Sequence, residues 1–469
     1  MIETPDIPCR CTYKVGDPKD KSPHCHEKWE PRKPGIYSST LDAIGDTPMI
    51  RLDRLAKKEG IKCELIAKCE YFNSGGSVKD RIAIRMLQEM EKTGKIKKGD
   101  TIIEPSSGNT GIGVALVTAV MGYKCIIVMP QRMSLEKEYT MRALGAELIR
   151  TPASGFKGED THIGYAFKLQ KETPNSHILN QYVNPYNPIV HYDVTAEEII
   201  HQCDGKLDMI VIGAGTGGMV AGISRKIKER IPSCRIVSVD PVGSIMAEPP
   251  ALNAAGVKPF EVEGIGHDFV PTVLAKDCID QWIKVGDKET FLMARRLVKE
   301  EGLLCGGSSG TTVVAALEAC RDLKAGQRCV VLIPDSIRNY MTKHLNDDWM
   351  IEKGLMDDKR RITCKEARDL MEKKGLDHLP IVTDDGSLFG VVTMKSLTAK
   401  LIRSGCTMDD NVSKALSPEY PTIPHDLTLG RVSRIVEKNL FAVINQTPTQ
   451  GVFTITRCDF LNYITGPQS

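Results

Sequence analysis

From about residue 40 to 350 the chain alternates short β-rich runs with helical segments of ten or more residues, and nothing else constrains its fold as strongly. The runs are CELIAKCEYF, TIIEP, YKCIIVMP, MIVIGAG, RIVSVDP and CVVLIPD. Several end in loops of Gly, Ser and Asn that open the next helix. This is the βα pattern of an α/β fold with doubly wound, largely parallel sheets, whose sites lie at the carboxyl ends of the strands.

A chain of 469 residues has room for two or three domains with proper cores. Its formal net charge is +2, without a basic arm or a long Lys/Arg stripe, so nucleic acid is excluded as the main partner. The start, MIETPDIPCRCTYKVG, has no apolar core of a signal peptide, and no stretch is able to span a bilayer. Fifteen cysteines, scattered mostly through apolar segments such as CIIVMP, read as reduced buried thiols and point to the cytoplasm.

Residues 1–34 form a polar, proline-containing arm with a cluster of Cys9, Cys11, His24, Cys25 and His26. Residues 35–353 carry the βα alternation. The charged stretch GLMDDKRR, 354–361, reads as a linker. Residues 362–469 contain two related halves, GLDHLPIVTDDGSLFGVVTMKSL and NLFAVINQTPTQGVFTITRCDFL. Each predicts a helix, a strand, a turn, a second strand ending in threonine and another helix. Two such units make a small paired domain rather than a solenoid.

Three loops carry the chemistry. In NSGGSVKDR, Asn73 to Arg81, a flexible turn delivers Lys79 onto the start of a helix. In EPSSGNTG, Glu104 to Gly111, small residues let backbone N–H groups and hydroxyls converge at a helix N-terminus and receive an anion. In GAGTGGMVAG, Gly213 to Gly222, glycines are spaced to wrap a phosphate, although such turns also serve nucleotides or close packing. Taken singly, a lysine is more often a surface charge and a glycine-rich turn is a weak signal. On one α/β sheet together, they suit a cofactor that is both an aldehyde and a phosphate. Pyridoxal 5'-phosphate meets that description, with the lysine bonding the aldehyde and the anion loop receiving an amino-acid carboxylate.

GGSVKDR, EPSSGNTG, GTGG, EGIGHDF, GLLCGGSSG and IPDSIRNYM resemble the cystathionine β-synthase family of fold-type II pyridoxal-phosphate enzymes, and the likeness runs over nearly the whole chain. The resemblance implies that Lys79 bonds the cofactor and that Asn109 hydrogen-bonds its ring hydroxyl. It makes Gly215, Thr216, Gly217, Gly218 and Met219 the phosphate loop, and Ser308 the hydroxyl for the pyridine nitrogen. Unlike a carboxylate, a hydroxyl does not hold that nitrogen protonated, which favours β-elimination. Ser106, Ser107 and Thr110 would receive the substrate carboxylate, with Gln181 and Tyr182 near the cofactor. Three positions depart from the family: Ser106 and Met219 stand where threonine is usual, and His267 where tyrosine is. Met219 keeps its backbone N–H but lacks a hydroxyl donor worth about 1 kcal/mol of cofactor binding.

On residue type alone the cluster of the arm suits zinc, or no metal, better than haem. The resemblance instead implies haem b held by Cys11 and His24 as axial ligands, with Cys9, Cys25 and His26 as bystanders. Arg225, by itself a solvated helix-face residue, becomes the partner of the haem thiolate. The Cys-x-x-Cys that the family carries on the next turn is absent, since IPSC leaves only Cys234.

The function implied is condensation of L-serine and L-homocysteine to L-cystathionine and water, a lyase step of transsulfuration and cysteine biosynthesis, with hydrogen sulfide production a further outcome. A cysteine synthase using O-acetylserine and sulfide shares the lysine and loops, but the arm and the C-terminal pair oppose it. A haem and nucleotide sensor with an inactive core is opposed by the joint presence of Lys79, Asn109 and Ser308. The family further implies a homodimer. The C-terminal pair resembles tandem CBS (Bateman) regulatory domains that bind S-adenosylmethionine in mammalian members. Thr456 and Asp459 keep the ribose-binding spacing, whereas Thr393 and Ser396 lack the acid. In DHLP, where DQAP is usual, Leu379 fills space that alanine leaves open. Weak or absent S-adenosylmethionine binding is therefore expected.

Overall fold

The computed structural model describes residues 5–465 except 34, 107, 131–133, 153–157, 159, 357–361, 384–386, 404, 425–426, 440 and 446–451. Two compact units divide the chain, residues 1–356 and 357–469. The expected linker therefore falls largely, at 357–361, outside the described residues.

The first unit holds β1 (Met49–Arg51), β2 (Glu64–Cys69), β3 (Thr101–Pro105), β4 (Lys124–Pro130), β5 (Glu147–Thr151), β6 (Ser176–Ile178), β7 (Met209–Gly213), β8 (Arg235–Pro241), β9 (Gln281–Val285) and β10 (Arg328–Ile333). They make two sheets, in the orders β1-β2-β10-β7-β8-β9 and β5-β4-β3-β6. Every pairing is parallel except β1 with β2. The six apolar runs of the sequence are the six central strands. The four edge strands, β1, β9, β5 and β6, escape that reading, because an edge strand is partly exposed and needs no continuous apolar run.

Alternate residues of the central strands feed two cores, one on each face of the larger sheet. Met209, Val211, Cys329 and Val331 pack into one, and Ile210, Ile212, Val330 and Leu332 into the other. The period of two in a strand produces this division, and helices cover both faces.

A buried ion network ties β2 to the helices around it. Arg81 donates from Nε to Glu70 at 2.6 Å and from its two terminal nitrogens to Glu198 at 2.6 and 2.8 Å. Lys68 Nζ lies 2.6 Å from the same Glu198 and donates to the Thr47 carbonyl at 2.8 Å. Burial opposes ionisation of Glu198, yet the Arg81 and Lys68 charges outweigh it and hold the carboxyl well below the usual range. Two cations thus balance two anions where water is excluded.

In the second unit, helix Cys364–Lys374, β11 (His378–Val382), β12 (Leu388–Thr393) and helix Met394–Ile402 are followed by a short β13 (Thr422–Ile423). Helix Leu429–Asn439, β14 (Phe441–Asn445), β15 (Val452–Thr456) and helix Arg457–Thr465 then repeat the helix–strand–strand–helix order. β11 pairs with β12 and β14 with β15, both antiparallel.

Glu198→Ala strands Lys68 and Arg81 as unpaired buried cations, and such losses cost about 3–5 kcal/mol. Chemical denaturation of the variant should show a stability loss of that size, and an unchanged midpoint would show that the network does not hold the unit together.

Candidate active site and a second cavity

β2, β10 and β7 lie side by side and point their carboxyl ends the same way. The chain leaving β2 passes through the Asn-Ser-Gly-Gly turn to Lys79, first residue of helix Lys79–Lys92. Asn73 donates to Glu70 at 2.9 Å, and Gly75 N–H donates to Asp80 at 2.6 Å, so both ends of the turn are pinned. A β-carbon on Gly75 would sit 2.5 Å from the Asp80 carboxylate, which explains the glycine. After β7, Gly217 adopts φ +85° and the chain enters helix Gly218–Arg230 with no side-chain cap on its first turn. After β10 comes Asp335.

The anion loop arrives from the other sheet. It follows β3 and opens helix Asn109–Met121, so the loops stand on two sheets, not on one. Their meeting depends on helix packing: a β-carbon on Gly113 would touch the Lys79 carbonyl oxygen at 3.0 Å. Within the loop, the Ser106 hydroxyl accepts from Gly111 N–H at 3.0 Å, and the Thr110 hydroxyl donates to Gln181 at 2.7 Å. Ser107 lies outside the described residues.

One cavity is lined by Lys79, Asn109, Gly215, Thr216, Gly217, Met219 and Ser308, with Asp335 beside them. A neighbouring cavity of about 300 Å³ shares Lys79, Asn109 and Thr216 and adds Ser106, Thr110, Gln181, Tyr182 and His267. Every described residue assigned to the cofactor or substrate except Gly218 lines one or both, and Gly218 is the next link of the same loop. Burial lowers the Lys79 amine to about 8, against the opposing pull of the Asp335 charge. His267 packs edge-on to Tyr182, with ring centroids 5.4 Å apart. Burial first, then the Lys79 charge, pushes its imidazole down to about 4, so His267 is neutral at neutral pH.

The glycines of this loop have no room for side chains. An added β-carbon would meet the Gly264 carbonyl oxygen 2.4 Å from Gly215, Leu274 2.4 Å from Gly217, and Asn187 2.0 Å from Gly218. Asn187 donates to the Thr216 hydroxyl at 2.9 Å and the Gln181 carbonyl at 2.7 Å, joining the glycine loop to the wall of the neighbouring cavity. Sequence reasoning missed Asn187, and it assigned no role to Asp335, Asn339 and Tyr340. The last three stand in IPDSIRNYM, a motif whose individual members have no distinguishing local chemistry.

A separate, mostly apolar cavity of about 380 Å³ lies under the N-terminal arm and is lined by Cys11, His24, Tyr13, Pro188, Ala221 and Arg225, among others. Thr272 N–H donates to the Pro5 carbonyl at 3.1 Å, seating the start of the arm. Farther along, His26 Nδ1 and Asp193 lie 2.7 Å apart, and Arg85 donates to the Cys25 carbonyl at 2.9 Å. Arg225 Nε is buried without a hydrogen-bond partner, and a terminal nitrogen of the same guanidinium lies 3.8 Å from Asp277. Among the described residues no three His, Cys, Asp or Glu side chains converge as a metal site. Helix Gly218–Arg230 begins at the glycine loop and carries Arg225 to this second cavity.

A family model described as pyridoxal-phosphate dependent enzyme matches residues 40–335, and one described as CBS domain matches residues 360–403. The chain is 47% identical to the cystathionine beta-synthase of Oryctolagus cuniculus, over 98% of this chain and 90% of that relative. It is 46% identical to the Dictyostelium discoideum protein of the same name, over 99% of each. Among solved structures it is similar to the O-acetylserine dependent cystathionine beta-synthase of Helicobacter pylori, with TM-score 0.61 and 40% identity over 66% of this chain and 98% of that one. Among the described residues no helix is long and apolar enough to cross a membrane.

Proposed function

The chain belongs to the cystathionine β-synthase family of pyridoxal-phosphate-dependent enzymes, and from that premise we propose that it condenses L-serine with L-homocysteine to L-cystathionine and water at the cavity around Lys79. The observation that carries this reading is the shared cavity wall of Lys79, Asn109, the glycine loop and Ser308. The residues fit the cofactor: none of the loop's three glycines has room for a β-carbon, and the uncapped first turn of helix Gly218–Arg230 offers its N–H groups to a phosphate.

When bound, pyridoxal phosphate supplies an aldehyde for the substrate amine and a ring that takes up the electrons freed with the α-proton. Lys79 holds the cofactor between turnovers, takes the α-proton of serine, and returns it after the homocysteine sulfur has replaced the hydroxyl at the β-carbon. Burial suits it to that task by bringing the amine near neutral pH. Ser106, Ser107 and Thr110 receive the substrate carboxylate, Gln181 orients Thr110, and Tyr182 closes the wall beside His267. A neutral His267 adds no charge that would compete with Lys79.

The arm is read as a haem site with Cys11 and His24 as the iron ligands. An apolar cavity with both residues on its wall supports this, as does the unpartnered Arg225 nitrogen available to a thiolate. Haem needs only these two protein ligands, whereas zinc would need a convergent set. The family resemblance supports a homodimer in the cytoplasm.

In the second unit, weak or absent S-adenosylmethionine binding has a further support. The His378 ring stacks face to face on Phe441, centroids 4.1 Å apart, so this aromatic face is already occupied by the chain's own histidine. Leu379 packs against the neighbouring core. Calorimetric titration should show no tight binding and activity assays no several-fold activation; tight binding with several-fold activation would overturn this reading.

Lys79→Ala should abolish cystathionine synthesis and the visible absorbance of the bound cofactor, while leaving any haem spectrum intact. Wild-type cystathionine formation by the variant would remove Lys79 from the mechanism. Cofactor uptake by the apoprotein should rise with pH through about 8, because only the unprotonated Lys79 amine attacks the aldehyde. Product analysis with serine plus homocysteine against O-acetylserine plus sulfide separates the proposed activity from cysteine synthesis.

Cys11→Ser or His24→Ala should lower haem content or shift the Soret band, with activity reduced but not lost. An unchanged spectrum together with zinc by metal analysis would make the haem assignment wrong.

A further inference from the structure

What aims Asn109 is a separate question from what Asn109 does, and the answer rests on reading this residue as the partner of the cofactor's ring hydroxyl. Asn109 Nδ2 donates to Asp335 Oδ2 at 2.7 Å, and Asn109 Oδ1 accepts from Asn339 Nδ2 at 2.8 Å. The Tyr340 hydroxyl donates to the same Asp335 oxygen. All four side chains are buried, Asp335 at 1% exposure. They come from different sheets: Asp335, Asn339 and Tyr340 follow β10, and Asn109 follows β3.

A primary amide has two N–H donors and one acceptor oxygen, whereas a carboxylate only accepts. With a carboxylate on one side and an NH₂ on the other, the Asn109 amide has a single satisfied orientation. Turned over, its oxygen would face Asp335 Oδ2 and its NH₂ would face that of Asn339, so both amide atoms of Asn109 and the Asn339 nitrogen would lose these partners while Asp335 Oδ2 kept only Tyr340. In the satisfied orientation one Asn109 N–H remains unspent. Asn109 lines the cavity of Lys79, Thr216 and Ser308, so this is the donor it has left for a ligand there.

Room for the arrangement is specifically made. A β-carbon on Gly306 would lie 2.2 Å from Asp335 Oδ1 and 2.6 Å from the Tyr340 ring. Gly306 thus serves Asp335, two positions before the Ser308 that faces the same cavity.

We propose that Asp335 and Asn339 are positioning residues that lock the Asn109 amide, so that its free N–H meets the cofactor's ring oxygen and favours the ionised form of that hydroxyl. A donor held in one orientation stabilises negative charge without reorganising, which a freely turning amide does not. Lys79 and Ser308 act on other atoms of the cofactor, so the lock governs one proton position and not cofactor retention as a whole.

The test uses the holoenzyme, its bound cofactor content, its visible spectrum across pH, and its kcat. Asn109→Ala defines the signature of a lost ring-oxygen donor. Asn339→Asp sets a second carboxylate against the amide, demands NH₂ on both sides, and should reproduce that spectral shift. Asp335→Ala, which removes the acceptor of the Asn109 N–H, should shift the spectrum the same way and lower kcat by about tenfold, the loss expected for one charge-assisted hydrogen bond. If Asp335→Ala does not fold, Asn339→Asp decides. A shift in Asn109→Ala with wild-type spectra in both lock variants overturns this inference and leaves the role of Asn109 standing. A silent Asn109→Ala overturns that role and the inference with it.

Discussion

Arg81 is a guanidinium with almost no access to water, two residues beyond Lys79 on the same helix. It reaches Glu70 at the end of β2 and Glu198 on helix Ala196–Gln202, while Lys68 completes the set. A buried ion pair is seldom a source of net stability compared with apolar packing, but it is directional where packing is not. Here the direction matters. Arg81 fixes the rotation and height of helix Lys79–Lys92 against β2, and that fixes where the Lys79 amine emerges. Asn73, at the start of the turn that delivers the lysine, bonds to the same Glu70. Lys79, the proposed catalytic lysine, therefore rides on an element whose position is set by charge, and its burial in turn lowers the amine to about 8.

The remaining site geometry follows from close approach between elements. Gly113 lets helix Asn109–Met121 lie on the Lys79 backbone, bringing the loop of the smaller sheet to the larger one. Gly218 admits Asn187, which ties the glycine loop to Gln181 beyond the end of β6. Gly222, farther along the same helix, accommodates the Pro188 carbonyl, 2.1 Å from where a β-carbon would be. One helix thereby contacts both the cavity of Lys79 and the apolar cavity under the arm. The arm is held independently through Asp193 and Arg85, the latter on the helix that begins with Lys79.

Much of this was legible in the sequence because it is local. The central strands announce themselves as apolar runs, the glycine loops open helices where strand and helix signals meet, and Lys79 falls on the first helical turn. The family resemblance named the individual residues, and every described cofactor and substrate residue except Gly218 lines one of two cavities that share Lys79. Edge strands were not legible, since partial exposure erases the apolar run. Nor were Asn187 and Asp335, ordinary polar residues whose importance lies in partners far away in the chain.

The sequence by itself determined the α/β class, the placing of Lys79 at a helix start, the glycine loop that opens the next helix and the internal repeat of the second unit. Each is written in a pattern of a few consecutive residues whose backbone and side-chain chemistry acts at short range. The tertiary structure decided that the loops come from two sheets, that Lys79 is buried enough to lose its proton near neutral pH, and that His267 stays neutral. It also decided that His378 covers Phe441 and that Asp335 holds Asn109. Burial, field and hydrogen-bond direction are properties of what surrounds a group, and the surroundings of each of these residues are assembled from segments that only folding brings together.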